Sequence, residues 1–141
     1  MSDGRRVLVA TDHRRCATAV LDDAAGLAGA DGEVVLAAVL VVPLDQPIDA
    51  ALDRAVDDAG TVLEAGERRR LPVRAFDTRL VRARSFADGV DRLLEEERFD
   101  ILVLQRVCGV VHTGLERQQE ALVERAGLTV ALIRPAEPAI T

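Results

Sequence analysis

The order of apolar runs along this 141-residue chain predicts an α/β fold, a five-stranded parallel sheet of order 3-2-1-4-5 with helices on both faces. Three observations lead there. Strand-length apolar runs alternate with stretches of helical periodicity from one end of the chain to the other, and such alternation specifies parallel strands joined by right-handed crossovers. The third run is loaded with charge, which suits a sheet edge. The first, second and fourth runs are apolar enough to be buried on both faces.

Arg5 to Thr11 (RRVLVAT) is the first strand. Ala17 to Ala28 then repeats apolar residues at helical spacing (Ala17, Val20, Leu21, Ala24, Leu27, Ala28), with Asp22 and Asp23 on the outer face and Gly29 and Gly32 as its stop. Glu33 to Val42 is a second strand rich in β-branched residues. Beyond Pro43 and Pro47 a second helix begins near Asp49, with Leu52, Val56, Ala59 and Leu63 on one stripe, and runs to Gly66 and the three arginines after it.

The third strand, about Val73 to Val81, carries Arg74, Asp77 and Arg79, with Arg82 just beyond. Ser85 followed by Asp88 starts a third helix in capping-box fashion, with Phe86, Val90, Leu93 and Leu94 facing inward and Phe99 near its end. Ile101 to Leu104 is the fourth strand, Gly114 to Ala126 a fourth helix stopped by Gly127, and Leu128 to Ile133 the last strand, ended by Pro135. One domain over residues 1–135 and a short tail, 136–141, account for the chain.

Eighteen arginines and no lysine stand against 24 acidic residues, a net charge of −6 with the two signs interleaved. That balance excludes a nucleic-acid or anionic-membrane binder, and the missing lysine excludes Schiff-base and P-loop-lysine chemistry. The longest apolar run, Val34 to Val42, is too short for membrane insertion and ends at Pro43. MSDGRR passes into a strand with no secretory apolar region, so a cytoplasmic location with free thiols is expected.

The junction after the fourth strand, ILVLQRVCGVVHTGLERQQE, sits where doubly wound folds bind ligands: a topological switch between strands one and four, followed by a helix start. The chain's cysteines and histidines all fall on the two loops that meet there. His13 and Cys16 follow the first strand, and Cys108 and His112 follow the fourth. Two thiolates and two imidazoles are the ingredients of a tetrahedral zinc site, with Asp12 as a spare ligand. The competing reading leaves them as capping and packing residues, since free cysteine behaves as a small buried apolar group.

RRVLVATD, TRLVRARSFADGVDRLLEEERFDILVL and LTVALIRP together resemble the universal stress protein family, and the order of elements agrees over nearly the whole chain. The resemblance implies a Rossmann-like fold of the adenine-nucleotide alpha hydrolase type. It also implies a role in the stress response, and a homodimer through pairing of the last strand, here Leu128 to Ile133. Similar domains occur attached to membrane transporters, which makes a transporter's cytoplasmic face a further possible partner.

The nucleotide-binding branch of that family carries G-x-x-G, a spacer of about nine residues, then G followed by Ser or Thr, so that backbone N–H groups close on phosphate. This chain departs from the pattern. Gln105 stands at the first glycine and Cys108 at the second, the loop is about two residues shorter, and Glu116 and Arg117 occupy the final Gly-Ser position. Thr113-Gly-Leu-Glu116 instead fits a capping box, whose carboxylate stabilises the helix start and repels phosphate.

The leading expectation is therefore a non-enzymatic regulator with no cofactor, acting through dimerisation and partner binding. One alternative is a small-ligand sensor holding ATP or AMP in a variant anion site built from Asp12, Val41, Val42, Arg106, Gly109 and Arg117. Asp12 matches the family's acidic residue beside the nucleotide, and Val41 and Val42 the lining of its adenine pocket. The other alternative is zinc on His13, Cys16, Cys108 and His112.

Overall fold

The computed structural model describes residues 4–12, 18–105 and 129–133, and of residues 12, 18, 19, 105 and 129–133 the backbone alone. The elements are β1 (Arg6–Asp12), α1 (Thr18–Ala28), β2 (Glu33–Val41), α2 (Asp53–Arg68), β3 (Ala75–Ala83), α3 (Phe86–Glu96), β4 (Ile101–Gln105) and β5 (Thr129–Ile133). All strand pairs are parallel. The α/β class and the inner order β3-β2-β1-β4 agree with the sequence reading, and the backbone of β5 pairs with the outer side of β4.

Alternation along the central strands separates two cores. On one face Leu8, Val35, Val39, Leu102 and Leu104 meet Phe86, Val90 and Leu93 of α3. On the other, Val7, Val9, Val34, Leu36 and Val103 meet Val20, Leu21 and Ala24 of α1, with Leu63 of α2 packed alongside. Each fully buried Leu or Val in these layers contributes roughly 1.5–3 kcal/mol over an exposed one. Because β1, β2 and β4 are buried on both faces, their sequences read as continuous apolar runs.

Two glycines set how closely the helices approach β2. A Cβ placed on Gly66 of α2 would lie 2.5 Å from Leu36 Cδ2, and one on Gly89 of α3 would lie 2.6 Å from Val39 Cγ1, on the opposite face. At the end of α1, Gly29 adopts φ +83°, and its N–H donates to Ala25 O at 3.0 Å, the left-handed stop that the sequence pattern anticipated.

Two expectations need correction. The second helix starts at Asp53 instead of near Asp49, because residues 47–50 form a turn in which Ala50 N–H donates to Pro47 O at 2.9 Å. It runs through Gly66 to Arg68, the first of the three arginines, as the sequence indicates, and that glycine serves close packing. β3 begins at Ala75, two residues later than read, because Val73 and Arg74 are engaged in approach bonds to Leu71 O and Gly32 O. The third helix starts as expected: Ser85 Oγ accepts from Asp88 N–H at 3.1 Å.

Candidate functional site

The carboxyl ends of β1, β2 and β4 lie where the sequence reading expects a ligand crevice. Ala10 lies opposite Leu104 and Asp12 opposite Val39, so β1 and β4 end side by side with Asp12 as the last residue of β1. β2 ends at Val41, opposite Ala83, and Val42 N–H donates to Ala83 O at 2.8 Å. Of the two valines expected to line an adenine pocket, Val41 is 38% exposed and Val42 is fully buried. Of the two, Val41 alone presents surface.

Gln105 closes β4. Its Cα is in register with Ile133 of β5, so its backbone belongs to the strand ladder. His13, Cys16, Arg106, Cys108, Gly109, His112 and Arg117 lie outside the described residues, as do the expected fourth helix and Glu116. Among the described residues no group of three or more His, Cys, Asp or Glu side chains is placed to hold a metal ion.

The loop after β2 is clasped by arginines of β3 and its exit. Arg84 Nη1 donates to Pro43 O at 2.6 Å and Gln46 O at 2.7 Å, and Arg82 Nη1 donates to Ala50 O at 2.6 Å. Leu44 and Ile48 are left exposed on the held loop. The sequence reading took the charge of the third strand as an edge mark and missed this role. The signal available was the pair of arginines, Arg82 and Arg84, where the third strand gives way to the third helix.

At the opposite end of the sheet lies an ion-pair network. Glu97 receives Arg79 Nε and Nη2, each at 3.0 Å, and Arg6 Nη2 at 2.7 Å. Arg6 also pairs with Glu33 at 3.3 Å and stacks on Phe99, 4.7 Å from the ring centre. The Arg79 guanidinium holds the Glu97 carboxyl below the usual range against the opposing effect of burial, with Arg6 adding to it. Arg79 is correspondingly raised by Glu97 and then Asp77. Glu95 and Glu96 are exposed, but Glu97 lies beyond the last turn of α3 and turns inward to two arginines.

Solved structures place the architecture. A universal stress protein from Archaeoglobus fulgidus superposes with a TM-score of 0.65 at 19% identity, covering 92% of this chain and 93% of the other. The fold is that of the universal stress protein family. A member from Burkholderia pseudomallei is 25% identical with a TM-score of 0.63, covering 94% of this chain and 96% of its own. A universal stress protein solved in complex with cAMP gives 0.60 at 21% identity, covering 96% of this chain and all of the other, 100%. No family model matches the chain, and no curated protein matches it in sequence. No described helix is long and apolar enough to cross a membrane.

Proposed function

We propose that this universal-stress-protein fold serves a regulatory role in the stress response, acting through self-association and partner binding without holding ATP in the family's usual way. The observation that carries this reading is Gln105. Where the nucleotide-binding pattern wants a glycine free to curl around phosphate, this chain has a side-chain-bearing residue whose backbone is part of β4, in register with Ile133. A strand peptide committed to its ladder offers no N–H to an anion. The outer edge of β5 is the surface favoured for pairing two copies, and a transporter's cytoplasmic face is a further partner class.

Thermal-shift measurement with ATP tests the first half of the proposal. Binding at a hundredfold excess over Kd would add about 2.7 kcal/mol, a melting shift of roughly 8–10 °C in a domain of this size. A shift below 1–2 °C at millimolar ATP is expected; a large shift at micromolar ATP sinks the reading. Light scattering of the full chain tests self-association, for which a monomer at all concentrations is the contrary result.

A second reading has its own support. Val41 is exposed at the end of β2, Asp12 ends β1 opposite Val39 of that strand, and a neighbour of the same fold was solved with cAMP. Here the protein senses a small nucleotide through a variant anion site. cAMP and AMP belong in the same thermal-shift series, and a shift from either with none from ATP selects this reading. Zinc in that series tests the four Cys/His residues.

A further inference from the structure

β3 is an edge strand, with β2 on one side and no described strand on the other. Ala83 O accepts from Val42 N–H, which sets the odd-numbered peptide groups of β3 toward β2 and the even-numbered ones toward the open edge. Phe76, Thr78, Leu80 and Arg82 therefore present N–H and C=O groups outward. A row of such groups is a template on which another chain can add a strand.

The row is not open. Thr78 N–H donates to Asp77 Oδ1 at 2.8 Å, and Thr78 O accepts from Arg79 Nη1 at 3.0 Å. Asp77 and Arg79 point to the same face and pair with each other at 2.5 Å, so the two side chains form one bracket around a single peptide unit. Arg79 is anchored from behind by Glu97, and Thr78 Oγ1 is tied to Glu67 of α2 at 3.3 Å. Two outward positions further, Arg92 Nη1 covers Arg82 O at 2.9 Å. Leu80, 43% exposed, lies between two covered positions.

We infer that Asp77 and Arg79 close the free edge of β3 against strand addition by occupying the outward N–H and C=O of Thr78. An incoming strand needs consecutive outward groups, one residue in two along the edge, and here the middle of the run is taken by side chains of the strand itself. Self-association through sheet pairing is thereby directed away from β3. The closure is independent of whether the parent self-associates. A parent that proves monomeric and a parent that proves dimeric both serve the test, because the readout is the change from the parent.

Two measurements on the full chain decide it. In amide hydrogen exchange of the parent, Thr78 N–H is expected to exchange at least tenfold more slowly than Leu80 N–H, which faces the same way and has no side-chain acceptor among the described residues. Asp77→Ala is expected to remove that difference, and equal rates in the parent overturn the inference. In light scattering, Asp77→Ala/Arg79→Ala is expected to show a concentration-dependent mass at least twice that of the parent. Adding Thr78→Pro, which deletes the outward N–H at a position where an edge strand tolerates proline, is expected to restore the parental mass. A folded double variant with parental mass, or assembly that survives Thr78→Pro, overturns the inference. Should the double variant fail to fold, the exchange comparison decides.

Discussion

Glu97 grips Arg79 with both carboxylate oxygens, Nε to Oε2 and Nη2 to Oε1, each at 3.0 Å, across 18 residues of sequence. The same carboxylate receives Arg6 from β1. The end of α3 is thus tied to two strands of the sheet, and a charge-assisted two-pronged contact in a partly shielded place is worth more than an open surface pair. Glu97→Gln is expected to destabilise the protein by about 1–2 kcal/mol. Urea denaturation should show a lower midpoint at unchanged m-value, and an unchanged midpoint would contradict the role given to this pair.

Acid sensitivity follows from the same carboxylate. The folded Glu97 carboxyl is held below its ordinary value of 4.5 by Arg79 and then Arg6, and Asp77 is lowered by Arg79 and by the Thr78 N–H. A depressed folded value means that the stabilisation is fully present above about pH 4.5 and is lost as pH falls through the folded values. Urea midpoints between pH 6 and pH 3 should therefore fall less steeply for Glu97→Gln than for the parent. Parallel curves would assign the acid dependence to other groups.

Glycines in α2 and α3 separate close packing from helix propensity. Gly60 has open space where a Cβ would go, so Gly60→Ala is expected to stabilise by about 0.5–1 kcal/mol through helix propensity. Gly89→Ala brings a Cβ to 2.6 Å from Val39 Cγ1, and overpacking of about 1–3 kcal/mol outweighs the propensity gain. Thermal melts should move in opposite directions for the two variants.

Ser85→Ala removes the acceptor for Asp88 N–H and is expected to cost about 1 kcal/mol, the usual loss at a helix N-cap. Ser85→Asp should recover most of it, because aspartate keeps the acceptor and adds a favourable charge at the helix start. A melting temperature indifferent to both changes would show that α3 is held by its buried face alone.

Much of this architecture was legible because its causes are local. Continuous apolar runs mark strands buried on both sides, a three-to-four residue rhythm marks helices, and Ser85 and Gly29 announce their caps by residue type. The charges of Arg74, Asp77 and Arg79 correctly placed β3 at an edge. The boundaries that slipped, at Asp53 and Ala75, are those where a turn or an approach bond to another segment decides the first ladder or helix residue.

By itself the sequence determined the α/β class, the inner strand order, the two caps and the absence of glycines at Gln105 and Cys108, since each follows from residue type or short-range spacing. The tertiary structure alone decided that Glu97 is a clamp and not a solvated charge, that Gly66 and Gly89 exist for contact with β2, and that Asp77 and Arg79 seal Thr78. Glu97 meets Arg6 across 91 residues, and only the folded sheet brings such groups within bonding distance.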